Sequence, residues 1–81
     1  MSQAELAWRC RRGRLELDLL LHGYLERVYP QAPPAEQARF RRLLDLPDPL
    51  LWRYLSGETP VEDAELAELL GKIRSALKAR P

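Results

Sequence analysis

Apolar residues recur at three- and four-residue intervals along most of the chain, and proline and glycine cut that pattern into five segments. The cleanest stripe is Leu66, Leu69, Leu70, Ile73 and Leu77, with acids ahead of it and bases behind, the order a helix dipole favours. Residues 14–29 open with alternating leucines and acids, which also suits a short strand, but the alternation fails beyond Asp18. At about 100° per residue, Leu17, Leu20, Leu21, Tyr24, Leu25 and Val28 gather on one side while Glu26 and Arg27 fall outside it. The segment therefore reads as a helix, stopped by Pro30.

Punctuation sets the remaining elements. Residues 3–12 form a first helix ending at Gly13, which suits the left-handed position beyond a helix because it has no Cβ to clash. A third helix starts near Pro34, turns Phe40, Leu43 and Leu44 inward, and breaks at Pro47. The fourth is short, with Asp48 as N-cap, Pro49 at the first helical position, Leu51 and Leu55 four apart, and Gly57 at its end. Thr59, Pro60, Val61 and Glu62 read as a capping box for the fifth. No strand pattern survives and no repeat appears. The expected fold is all-α, a compact five-helix bundle forming a single domain over residues 1–81.

A chain of 81 residues buries only roughly 60–65% of its unfolded surface, so its core is small. Hydrophobic content of 46% and charged content of 31% still place it among chains that fold alone. A net charge of +1 gives no global field for nucleic acid or an anionic membrane, so any electrostatic role must come from local clustering. One cysteine and one histidine make neither an internal disulfide nor a structural zinc site, which points to a reducing compartment. The longest leucine run, residues 19–21, is far short of the roughly 20 apolar residues of a membrane span. The first residues carry no apolar stretch with a cleavage site and no arginine- and serine-rich leader, so bacterial cytoplasm is the expected address.

Clustering is found in one place. Arg9, Arg11, Arg12 and Arg14 crowd around Gly13, and Glu16 and Asp18 follow at once. Cations in a last helical turn complement the dipole, and such an end can be simply solvated. Alternatively, two helices meeting at Gly13 present guanidinium groups from one end and free backbone N–H groups from the other, a corner suited to an anionic or carbonyl-rich partner. A helix break at Gly13 removes any i,i+4 pairing of Arg12 with Glu16, and Glu16 in the first turn of the second helix can reach back to a free N–H. Glu16 and Asp18 are about 200° apart around a helix and cannot act as an acid–base pair. Asp18 and His22, four apart, suit a surface hydrogen bond or ion pair.

Leu15 and Leu19 lie off the main stripe, so the second helix has two apolar faces. Either it is central and packed on both sides, or the pair offers contact area to a partner. Cys10 is an inert core residue or a thiol acidified by neighbouring arginines, and the lack of an accompanying base favours the former. Trp52 with Arg53 could form an aromatic and basic binding site, yet Leu51, Trp52 and Leu55 together read more as an inner face, and Arg39, Arg41 and Arg42 as a solvated surface. No residues form an activated nucleophile or a metal site, so no catalytic residue and no metal ligand is assigned.

The string Trp8, Arg9, Cys10, Arg11, Arg12, Gly13, Arg14, Leu15, Glu16, Leu17, Asp18 closely resembles the signature of the small FAD assembly factors of succinate dehydrogenase. That family is called SdhE in bacteria. The resemblance continues through Tyr24 and Tyr29, Phe40 with Leu43 and Leu44, Asp48 and Pro49 before Leu50, Leu51 and Leu55, then Gly57 and an acidic stretch over residues 62–70. It covers nearly the whole chain, although the family often has tryptophan where Tyr54 stands.

The resemblance implies a maturation factor rather than an enzyme. Such a factor binds the flavoprotein subunit of succinate dehydrogenase, and often of fumarate reductase, and promotes covalent attachment of FAD to a histidine of that subunit. It acts on the FAD of its partner and holds none tightly itself. The partner-binding residues carried over are Arg11, Arg12, Gly13, Glu16 and Asp18, with Trp8, Leu15 and His22 as supporting contacts. Gly13 is expected to allow close backbone approach, and Arg12 to anchor the contact through planar, bidentate hydrogen bonds. The chain is expected to be a monomer with no nucleic-acid partner and no membrane insertion. Two other classes stay open: an antitoxin-type regulatory protein holding a toxin or cytoskeletal protein, and a small helical nucleic-acid binder with steeply salt-dependent affinity.

Overall fold

The computed structural model describes residues 2–78, leaving aside the side chains of Gln3, Leu77 and Lys78, so the last position of the fifth stripe lies outside the described side chains. Among these residues the backbone forms five α-helices and no strand, the all-α bundle expected from the periodicity. They are α1 (Gln3–Arg9), α2 (Leu15–Arg27), α3 (Pro34–Leu43), α4 (Asp48–Ser56) and α5 (Ala64–Lys78). A 3-10 turn at Tyr29–Gln31, containing Pro30, joins α2 to α3.

The apolar stripes meet as periodicity requires. Helices α2 and α5 form the central pair, α3 and α4 pack on α5, and α1 lies on α2. Leu17, Leu21, Tyr24 and Leu25 of α2 face Leu69, Leu70, Ile73 and Ala76 of α5 in one buried cluster, closed by Phe40, Leu51, Leu55, Leu6 and Cys10. Phe40 stacks obliquely on Tyr24 and Tyr29, with ring centroids 4.6 and 5.6 Å away. The radius of gyration is 11.6 Å, close to the roughly 12 Å of a compact chain this long, so all five helices share the one core. No helix among the described residues is long and apolar enough to cross a membrane.

One charge is buried in that core. Glu36 of α3 is 8% exposed, accepts from the Tyr24 hydroxyl at 2.6 Å and from Lys72 Nζ at 2.5 Å, and so ties α2, α3 and α5 together. Burial pushes its carboxyl up, but the Lys72 and Tyr24 hydrogen bonds outweigh this and hold it below the usual carboxylate range. Burial and the same bond push the Tyr24 hydroxyl well above its ordinary value. Arg39 and Arg41 of α3 are not simply solvated, since Arg39 pairs with Glu65 and Arg41 donates to the Tyr29 hydroxyl at 2.9 Å, while Arg42 is exposed.

Three helix ends depart from expectation, those of α1 and α5 through a side chain competing for a backbone group. Helix α1 stops at Arg9 instead of running to Arg12, because the Arg12 N–H goes to Asp18 Oδ1 at 2.7 Å and the Arg11 N–H closes a tight bond to Trp8 O at 3.0 Å. Asp48 is the first residue of α4 rather than its cap, and Pro47 takes the cap position. Helix α5 is capped by Asp63 and not by Thr59, since Asp63 Oδ1 accepts from Glu65 N at 3.0 Å and Leu66 N at 3.3 Å. Gly57 ends α4 with φ +86°, as expected of a left-handed terminator.

Candidate partner-docking corner

The loop between α1 and α2 sorts its four arginines into two pairs. Arg9 and Arg12 turn inward, toward the turn between α3 and α4. Arg9 Nη2 meets Asp45 Oδ1 at 2.5 Å. Arg12 Nη2 donates to Leu44 O at 2.5 Å, its Nη1 to Asp48 Oδ1 at 3.0 Å, and both reach Leu46 O at 3.3 Å. The cause lies in α3: the carbonyls beyond its end have no helical donor, and its negative pole attracts a cation. A planar guanidinium can serve two carbonyls and a carboxylate together.

This corrects the role expected for the Arg12 side chain. It is only 15% exposed and its Nη groups are committed within the chain, so they do not project as a bidentate anchor. Its Nε is buried and makes no hydrogen bond, a local cost of about 1–3 kcal/mol that the other bonds offset. Arg11 and Arg14, by contrast, are exposed.

Gly13 sits between the pairs at φ +78°, and a Cβ added there meets no atom within 4 Å. It is the pivot of the loop rather than the residue just past α1. Its backbone is open to an approaching surface, while any other residue there is strained by the left-handed conformation. Asp18 is half-buried and spends its carboxylate on the Arg12 N–H; the expected pairing with His22 is replaced by this loop bond. Glu16 stands exposed in the first turn of α2.

The second apolar face of α2 is not packed on a neighbour. Leu15 is 75% exposed and Leu19 41%, and with Trp8 at 73% they make up the exposed large hydrophobics of the described residues. All three belong to this corner. Leu15, Leu19 and His22 follow i, i+4, i+7 on one side of α2, and His22 joins Ala4, Ala7, Trp8 and Arg11 around a shallow depression of about 360 Å³. A second depression, about 340 Å³, lies between Arg14, Leu15, Glu16, Leu17 and Trp52.

Trp52 is the residue of this surface that sequence reasoning assigned to the inner face of α4. It is half-buried, touching the core with one part and walling the second depression with the rest. Its offset of one position from the fully buried Leu51 and Leu55 was the available signal. Cys10 fits the inert reading: it is fully buried, and burial pushes its thiol up to about 11 despite the opposing pull of Arg12 and Arg9. Among the described residues no group of three or more His, Cys, Asp or Glu side chains could hold a metal ion. The corner thus offers apolar area, two cations, a carboxylate and open backbone, which are the means of binding rather than of bond-making.

Comparison with known proteins gives this surface a setting. Residues 4–77 match the Sdh5 family, described as flavinator of succinate dehydrogenase. The chain is 47% identical to the FAD assembly factor SdhE of Methylococcus capsulatus, over 93% of this chain and 92% of that one. It is 38% identical to the FAD assembly factor SdhE of Coxiella burnetii, over 91% and 90% of the two chains. Against the SdhE of Xylella fastidiosa strain 9a5c identity is 45%, over 88% and 73%. No solved structure matches the chain.

Proposed function

The chain belongs to the Sdh5 family, flavinators of succinate dehydrogenase, and from that premise we propose that it is an FAD assembly factor which docks through its Trp8–Leu19 corner on the flavoprotein subunit of that enzyme. Members of the family are assembly factors and not enzymes in themselves. The observation that carries the docking assignment is the confinement of exposed Trp8, Leu15 and Leu19 to one corner, flanked by Arg11, Arg14 and Glu16. An apolar centre with a charged rim is the composition of a protein interface.

Attaching FAD covalently to a histidine builds negative charge on the flavin ring, and the attachment gains most when the flavoprotein's own groups are held to stabilise that charge. Binding the flavoprotein in the one conformation where this holds is a population shift and needs no catalytic residue from the factor. Trp8, Leu15 and Leu19 supply the apolar contact, Arg11 and Arg14 select carbonyls or carboxylates around it, and Gly13 lets the two backbones approach. The factor acts as a cytoplasmic monomer on FAD that its partner carries, holding none tightly itself, and its clients extend to the fumarate reductase flavoprotein.

Coexpression with the flavoprotein subunit tests this. In Gly13→Arg the new Cβ has open space around it and the left-handed strain, about 1–2 kcal/mol, falls on the loop, so the helices survive while a long cation is thrust into the interface. The expected outcome is a loss of covalent flavin fluorescence in the denatured flavoprotein by at least about tenfold, with unchanged far-ultraviolet circular dichroism of the factor. An undiminished flavin signal removes the corner from the mechanism.

A further inference from the structure

We propose that Arg12 and Asp48 serve flavinylation as positioning residues: without touching the flavoprotein, they clamp the Arg11–Leu15 corner to the turn between α3 and α4, so that the docking side chains meet the partner in one preset geometry. This rests on the docking reading above and assigns roles inside it.

The corner needs such a clamp. Between the end of α1 at Arg9 and the start of α2 at Leu15, the Cys10 and Arg11 N–H groups still bond back to Leu6 O and Trp8 O, but the Arg12 N–H leaves for a side chain and the backbone pivots at Gly13 with φ +78°. Three ties restrain it. Arg9 reaches Asp45, the Arg12 N–H reaches Asp18, and the Arg12 guanidinium spans Leu44 O, Leu46 O and Asp48. The last is the largest and is set deepest, with the Arg12 side chain 15% and Asp48 28% exposed. Arg11 and Arg14 alternate with Arg9 and Arg12 along the chain, so pinning one pair inward directs the other outward. Trp8 immediately precedes Arg9, and Leu15 follows Arg14. A loop held this way does not have to be ordered when the partner arrives, and the ordering cost that would otherwise weaken binding is already met. Lysine cannot replace the guanidinium, because a single ammonium cannot span both carbonyls and the carboxylate in one plane.

The test is a titration of purified apo-flavoprotein subunit and FAD with purified factor, reading covalent flavin against factor concentration. Arg12→Lys and Asp48→Asn are each expected to raise the half-maximal concentration roughly tenfold, leave the plateau rate unchanged, and retain the wild-type dichroism. Trp8→Ala, a direct contact, is expected to raise it by a similar factor. Decisive is the double variant Arg12→Lys with Trp8→Ala, whose shift is expected to fall well short of the product of the two single shifts, because a mispositioned corner has already forfeited much of the Trp8 contact. Full multiplicativity overturns the proposal, since an independent contact or bulk destabilisation multiplies through. A wild-type titration by Asp48→Asn also overturns it, and that variant stays informative if Arg12→Lys does not fold. If Trp8→Ala itself titrates as wild type, the docking reading fails first.

Discussion

Arg12 and Glu36 are both largely buried charges, yet they sit in opposite kinds of neighbourhood. Glu36 lies between α2, α3 and α5 and is satisfied by the Tyr24 hydroxyl and Lys72, one donor from each flanking helix. None of the exposed large hydrophobic side chains, Trp8, Leu15 and Leu19, belongs to its neighbourhood. Arg12 lies under the one corner where, among the described residues, large hydrophobic side chains face water, and its partners are mostly backbone carbonyls of a turn. A carboxylate that links helices acts on the whole fold, whereas a guanidinium that links a loop to a turn acts on the shape of a surface. The two deserve different assays, one of stability and one of binding.

That contrast can be broken by mutation. Glu36→Ala leaves the buried Tyr24 hydroxyl without its acceptor and is expected to lower unfolding stability by about 1–3 kcal/mol in urea titration. Its plateau flavinylation under native conditions is expected to stay unchanged; a lost plateau would mean that this locus also shapes the docking surface. Acid sharpens the same point. The folded carboxyl of Glu36 is held below its ordinary value of 4.5, so the folded state binds its proton later than the unfolded chain does. Its contribution is therefore complete above that value and disappears as pH falls through the lower, folded pKa. Urea midpoints measured from pH 6 downward are expected to decline less steeply in Glu36→Gln than in the wild type. The smallest effect on stability belongs to the corner: Leu15→Ser and Leu19→Ser are expected to stay within about 0.5 kcal/mol of wild type while weakening flavoprotein binding.

Much of this was legible in the residues alone, for a physical reason. Helix stripes are local, so the spacing of Leu17, Leu21 and Leu25, or of Leu69, Leu70 and Ile73, places the core directly. Helix ends were less legible because side chains compete for them. Asp63 outbids Thr59 for the start of α5, and Asp18 draws the Arg12 N–H away from α1. The inward turn of Arg12 was not legible at all, since its acceptors lie 32 to 36 residues away. Nor was the burial of Glu36, whose two donors stand 12 and 36 residues off. Periodicity marked Leu15 and Leu19 as a second apolar face but carries no word on what covers it; only the packed structure leaves them bare.

Cys10 gives this small protein a built-in clock. Its sulfur is sealed in the core at the C-terminal end of α1, flanked in sequence by Arg9 and two residues from Arg12, and it is kept protonated by burial. An alkylating reagent reaches it only when that first helix lifts away, so the labelling rate counts those openings. Docking of a client over Trp8 would slow the clock, and cutting either arginine tether would speed it.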